Sequence, residues 1–252
     1  MAATRIGLIV PSSNTTMETE IPEMLRRRSA RHPDEQYTFH SSRTRMKKVT
    51  PEELAAMNEA STRCVAELVD ADVDALAYAC LVAIMSQGET AYLTEHDRMA
   101  KAVADNGSAA AVVTSAGALI SGLKAMGATR VGLIAPYVPA LTDTVVACVT
   151  SAEIDVVAKV SLSVPDNLEV GRLDPEGLRR VAAELDLAGC DALVLSACVQ
   201  MPSLPVLAEI EQMVGLPTVS AASATVFELL RSLGRSTDVP GAGHLLSGQI
   251  AG

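Results

Sequence analysis

Two short apolar runs in this 252-residue chain end on the same dipeptide: Asp74–Cys80 reads DALAYAC and Asp191–Cys198 reads DALVLSAC. Cys80 and Cys198 lie 118 positions apart, each closing a strand-like run and each leading toward helix-forming sequence. A thiolate is both a nucleophile and a proton carrier, and a thiol set where free backbone N–H groups gather ionises more readily. Two such thiols on either side of a small carboxylate could attack it, or move protons on and off its carbon. Cys64 and Cys148 fall inside helical patterns and Cys190 precedes a strand, so these three read as packing residues.

The surroundings exclude several other chemistries. Five cysteines without a CxxC, and four histidines without ligand spacing, give no zinc pattern. A net charge of −10 and the absence of Trp argue against nucleic acid, which needs a basic face and stacking platforms. An anionic substrate remains compatible, because a few backbone N–H groups bind a carboxylate whatever the global charge. No run of eighteen residues lacks polar interruption, so no membrane span is expected. The start, MAATRIGLIVPSSN, has none of the parts of a signal peptide, and a cytoplasmic protein with reduced thiols is expected.

Elements must position those thiols. Apolar β-rich runs alternate with helical patterns throughout, the mark of a parallel α/β sheet. RIGLIVP (Arg5–Pro11) is a buried strand, followed by a helix whose Thr15–Glu18 opening reads as a capping box. A second box, Thr50–Glu53 with Pro51 at the first turn, opens a helix to about Val69. Further helices are expected near 89–105 and 115–126, after Asp174-Pro175, near Pro202 and over ATVFELLRSLG. VPDNLEVGR reads as a loop that could cover a site, and the tail from Ser236 as loosely held.

The order repeats. RIGLIVP and RVGLIAP begin 125 residues apart, and VVTSAGAL is echoed by TVSAASAT further on. The pattern predicts an α/β protein of two pseudo-twofold-related, flavodoxin-like parallel-sheet halves with the site in the cleft between them. The first half is 1–115 with Cys80, completed by the C-terminal helix 220–252, and the second is 116–219 with Cys198. Ligands of such sheets bind beyond the carboxyl ends of the strands, where both cysteines fall. Helix 116–126 is apolar on more than one side, which suggests a homodimer.

Twin Ala-Cys strand ends in two α/β halves resemble the aspartate/glutamate racemase superfamily. GLIVPSSNTTMETE, AYACLVA, SACVQMPS and VPDNLEVGRLDP together resemble its maleate cis–trans isomerase branch over essentially the whole chain. Amino-acid racemases usually follow their second cysteine with Thr, whereas Val199-Gln200 stands here, and arylmalonate decarboxylases keep only the second cysteine. The resemblance implies a dicarboxylate substrate, maleate, and isomerisation to fumarate without metal, flavin or nucleotide. It makes Cys80 the nucleophile that adds to the double bond, with Cys198 protonating or guarding the neighbouring carbon. It assigns substrate binding to Asn14, Tyr137, Asn167 and the backbone N–H groups of Val82 and Val199.

Each assignment has a plainer counterpart: Asn14 as a helix cap, Tyr137 as a loop aromatic, Asn167 as a turn residue. Three other functions stay open on the residues alone. An amino-acid or hydantoin racemase would use the thiols as an acid/base pair, a small-carboxylate binding protein would do no chemistry, and a redox-sensing dithiol would cycle its cysteines.

Overall fold

The structure, a computed structural model, describes residues 2–250. Nine elements build the first part of the chain: β1 (Thr4–Pro11), α1 (Met17–Arg31), β2 (Tyr37–Thr44), α2 (Pro51–Asp70), β3 (Ala75–Tyr78), α3 (Leu81–Met85), α4 (Ala91–Asp105), β4 (Ala111–Thr114) and α5 (Ser115–Ala125). The second part repeats the alternation with β5 (Arg130–Ala135), α6 (Pro139–Ser151), β6 (Asp155–Ser161), α7 (Asn167–Val170), α8 (Pro175–Glu184), β7 (Ala192–Ser196), α9 (Leu204–Val214), β8 (Thr218–Ser220) and α10 (Ala221–Ser232).

The strands form two four-stranded sheets, ordered β2-β1-β3-β4 and β6-β5-β7-β8. All neighbours run parallel, so each connection crosses over through helical chain. The two orders coincide when β5–β8 are laid on β1–β4. The repeated sequence motifs have a physical cause in these sheets. Asp74, which opens DALAYAC, accepts the N–H of Arg5 at 2.7 Å and returns its own N–H to the Arg5 carbonyl at 2.9 Å. Asp191, which opens DALVLSAC, does the same with Arg130 at 2.8 and 2.7 Å. Each Arg strand is thereby registered against each Asp strand, and Gly7 pairs with Leu76 as Gly132 pairs with Leu193.

Both strands that carry a cysteine also leave their sheet alike. Ala79 N–H donates to Ile9 O (3.2 Å) and Ala197 N–H to Ile134 O (3.0 Å), after which pairing stops and the cysteine turns outward. β3 and β7 are buried along their whole lengths, as central parallel strands covered on both faces must be.

Three expectations are corrected. At α1 the residue in the cap position, Thr16, makes no side-chain cap bond; Asn14 Oδ1 takes the first free N–H groups instead, so no Thr–Glu box forms. VPDNLEVGR is not wholly loop, because Asp166 caps the single turn of α7 by accepting from Leu168 and Glu169. The tail is firmly packed up to residue 246: Val239, Ala242, Leu245 and Leu246 are buried, and Arg28 donates to the Ser236 and Asp238 carbonyls at 2.6 and 3.0 Å. The apolar sides of α5 are taken up within the chain, largely by α10, which also lies over β3 and β4. That helix therefore gives no ground for a second copy. Among the described residues no helix is long and apolar enough to cross a membrane.

Candidate active site

The ends of β3 and β7 meet at one small pocket, lined by both Cys80 and Cys198. Asn14, Val82, Tyr137, Asn167 and Val199 line it too, so all seven residues singled out in the sequence face the same space. Pro11, Met46 and Val49 add apolar wall, the latter two from the stretch between β2 and α2. Among the described residues no charged side chain reaches the lining. Arg172, the arginine of VPDNLEVGRLDP, lies on the surface paired with Glu169.

Cys80 sits at the start of α3, with its carbonyl accepting from Ile84 N–H and the N–H of Ala83 directed at its sulfur. That turn is fixed from behind: Asn58 Nδ2 donates to the Ala83 carbonyl at 2.7 Å, while Tyr78 Oη donates to Asn58 Oδ1. Burial, joined by a smaller push from charge on Cys198, raises the Cys80 thiol to about 12. Cys198 stands in a tighter turn, whose shape is set by the Ser196 hydroxyl donating to the Cys198 carbonyl at 2.7 Å. Burial raises its thiol as well, but the Tyr137 hydroxyl and the N–H groups of Gln200 and Met201 act against that. Three groups thus pull the Cys198 thiol down where one acts on Cys80. The two thiols are chemically unequal.

Tyr137 is buried, and its hydroxyl donates to the Ala197 carbonyl at 3.2 Å beside Cys198. A hydroxyl proton can rotate between acceptors. Burial and the neighbouring thiols lift Tyr137 well above the usual phenol range, so it remains a donor. Asn14 is a helix cap and more: Oδ1 accepts from Thr16 and Met17 N–H at 3.0 and 2.9 Å, and Nδ2 has no partner among the described residues. Asn167 donates through Nδ2 to Ser13 Oγ at 2.8 Å, which joins the α7 segment to the turn that holds Asn14.

The chemistry open to such a site follows from what it lacks and offers. A small anion entering it meets amide N–H groups, the Tyr137 hydroxyl and two thiols, with no fixed positive side chain. Gln200, also on the lining and almost fully buried, was not singled out in the sequence. Its position two residues past Cys198, within SACVQMPS, was the available signal.

Paired strand-end cysteines between two like sheets define a class, and the match bears it out: the chain matches the arylmalonate decarboxylase family (Amdase) over residues 6–246. It is 55% identical to the maleate isomerase of Geobacillus stearothermophilus over 97% of this chain and 98% of that one. The crystal structure of a variant of the maleate isomerase Iso from Pseudomonas putida S16 with maleate superposes with a TM-score of 0.97, at 47% identity, covering 98% of this chain and 99% of that one. A cysteine-to-serine mutant of the Nocardia farcinica maleate cis–trans isomerase, with a covalently bound succinylcysteine intermediate, superposes at 0.94 with 46% identity, covering 98% and 99%. The chain belongs to the maleate isomerases.

Proposed function

We propose that the protein converts maleate to fumarate by reversible addition of a cysteine to the double bond. The observation that carries this is the meeting of both thiols with eleven uncharged neighbours, hydrogen-bonding or apolar, in one pocket. Burial keeps Cys80 protonated, while Cys198, whose thiol Tyr137, Gln200 and Met201 pull down against burial, ionises more readily. Cys198 thiolate takes the Cys80 proton, and Cys80 Sγ bonds to C2 of maleate. The π pair moves onto C3 and its carboxylate, and Cys198 returns the proton to C3. The succinyl group, now joined through a single C2–C3 bond, rotates. Cys198 thiolate removes a C3 proton, the double bond re-forms in the trans geometry, and Cys80 Sγ leaves and is reprotonated. Protons and electrons balance over the cycle. A succinylcysteine in the Nocardia farcinica relative, where a cysteine is already replaced by serine, supports an adduct hydrogenated at C3.

Asn14 Nδ2, the Tyr137 hydroxyl, Asn167 and the N–H groups of Val82 and Val199 receive the two carboxylates. Charge that gathers on one carboxylate during addition is met by these fixed dipoles among buried side chains, where they act strongly. A guanidinium clamp would hold a carboxylate by two parallel bonds; single amide and hydroxyl donors leave it able to swing with the rotating bond. All five cysteines are free, as a reducing cytoplasm would leave them, and we place the enzyme there.

The test follows maleate by ultraviolet absorbance and proton NMR with wild type, Cys80→Ala and Cys198→Ala. Fumarate from wild type and none from Cys80→Ala is the expected result. No conversion by folded, reduced wild type would overturn the reading in favour of a racemase or a binding protein.

A further inference from the structure

The two asparagines proposed to bind the carboxylates come from different halves of the chain: Asn14 precedes α1, and Asn167 opens α7. Their relative placement matters more than the stability of either turn, because the substrate spans both. A single side chain ties them. Gln200, 1% exposed, accepts through Oε1 from Thr15 N–H at 2.8 Å and from Thr16 N–H at 3.3 Å. Through Nε2 it donates to the Ser13 carbonyl at 3.2 Å and to the Asn167 carbonyl at 2.8 Å. Every hydrogen-bonding valence of the amide is used, and its orientation is fixed, since the oxygen faces two donors and the nitrogen two acceptors.

Three of the four partners are the residues flanking Asn14, and the fourth is Asn167 itself. The main chain of Gln200 belongs to the turn of Cys198, two residues past that thiol, and its N–H acts on it. One residue therefore fixes the distances among Cys198, Asn14 and Asn167. Gly171 at the end of α7 is part of the same contact. A Cβ there would stand 2.5 Å from Gln200 Nε2 and 2.7 Å from Thr15 Oγ1, so only glycine lets α7 lie this close.

We propose that Gln200 is a positioning residue for the isomerisation: its amide sets Asn14 and Asn167 in register with each other and with Cys198. The inference rests on the functional reading above. It does not require Gln200 to touch substrate. Gln200→Met removes all four bonds at similar volume. Gln200→Glu keeps the two acceptor contacts to Thr15 and Thr16 but loses both donors and sets carboxylate oxygen against the Ser13 and Asn167 carbonyls.

The chain contains four asparagines, 14, 58, 106 and 167, so the side-chain amides of ¹⁵N-asparagine-labelled protein give one readable set with two built-in controls. Gln200→Met is expected to move the Asn14 and Asn167 signals and leave Asn58 and Asn106 in place. Gln200→Glu and Gly171→Ala are expected to move Asn167 most, and Gln200→Glu serves alone if the Met variant fails to fold. Unmoved Asn14 and Asn167 signals, or four signals moving alike, would overturn the proposal.

Turnover adds a second readout. Misplaced donors lower kcat/KM by roughly 10²-fold, mostly in kcat. Replacing Asn14 with Ala then costs far less in the Gln200→Met background than in wild type, as coupled residues require. Equal costs in both backgrounds would also overturn it. If wild type turns over no maleate, the functional reading fails, yet the amide spectra still decide on Gln200.

Discussion

At the scale of single residues, Asn14 shows how one side chain does structural and chemical work together. Its oxygen caps α1 and its nitrogen is left for a ligand, so the helix itself aims the amide. Asn14→Asp separates the two tasks. Aspartate caps as well as asparagine, so the melting temperature should hold, whereas a carboxylate in place of the donor should cost at least about 10²-fold in kcat/KM. An active Asn14→Asp enzyme would reduce Asn14 to a cap. Tyr137 invites a different test, because its hydroxyl is one of the groups holding the Cys198 thiol down. Removing it lets burial raise that thiol further. Activity that depends on the thiolate rises with pH up to the thiol pKa, so Tyr137→Phe should shift the rising limb of kcat/KM to higher pH as well as lowering it. A profile that drops without shifting would mean that Tyr137 acts on substrate alone.

At the scale of elements, the two parts of the chain are joined by more than the Gln200 amide. Glu20, on α1, is buried and accepts from the Ser203 and Leu204 N–H groups at 2.7 Å each, thereby capping α9 from across the molecule. Burial raises its carboxyl while these same N–H groups pull it down. Glu20→Ala leaves two buried donors at the N-terminus of α9 without a partner, a loss of about 1–3 kcal/mol for each group left unsatisfied. Chemical denaturation should show it as a lower midpoint, and an unchanged midpoint would mean that α9 finds another cap. No sequence rule would find this contact, because Glu20 and Ser203 are joined only by tertiary structure. The same reason hid the true cap of α1: Thr15–Glu18 satisfies the spacing of a box, but Gln200 takes Thr15 and Thr16 N–H while Asn14 takes Thr16 and Met17. At α2 the box is half right. Thr50 Oγ1 accepts Glu53 N–H at 3.4 Å, while the Glu53 carboxylate reaches back to Lys47 and Lys48 N–H. Strands and helix spans, by contrast, were legible, because apolar runs bounded by turn residues carry their own signal.

At the scale of the whole molecule, the two sheets and the cysteine pair could be read from the sequence because the duplication repeats residues with defined jobs: Asp74 and Asp191 at the strand starts, Ala79 and Ala197 at the strand exits. The packed tail could not, since Val239, Leu245 and Leu246 follow no helical or strand period and find their places only against the finished core. That core also makes a prediction about pH. Cys80 and Cys148 are both pushed by burial up to about 12, and Cys64, Cys190 and Cys198 are raised in the same direction. An unfolded thiol loses its proton near pH 8.5. Below that pH both states keep the proton and the preference of the fold for neutral thiols contributes in full. Above it the unfolded state sheds protons that the folded state retains, so stability falls as pH rises; for Cys80 and Cys148 the fall runs from about 8.5 toward about 12, by roughly 1.4 kcal/mol per pH unit for each of the two. Cys148 lies on α6, outside the cavity, and isolates the effect without touching the proposed chemistry. Cys148→Ala should lose some stability at pH 7 from the space it opens, yet decline less steeply above pH 8.5, by the contribution of one thiol. Denaturation midpoints between pH 7 and 10 separate these two terms. Parallel curves for wild type and variant would show that Cys148 ionises as freely in the fold as outside it.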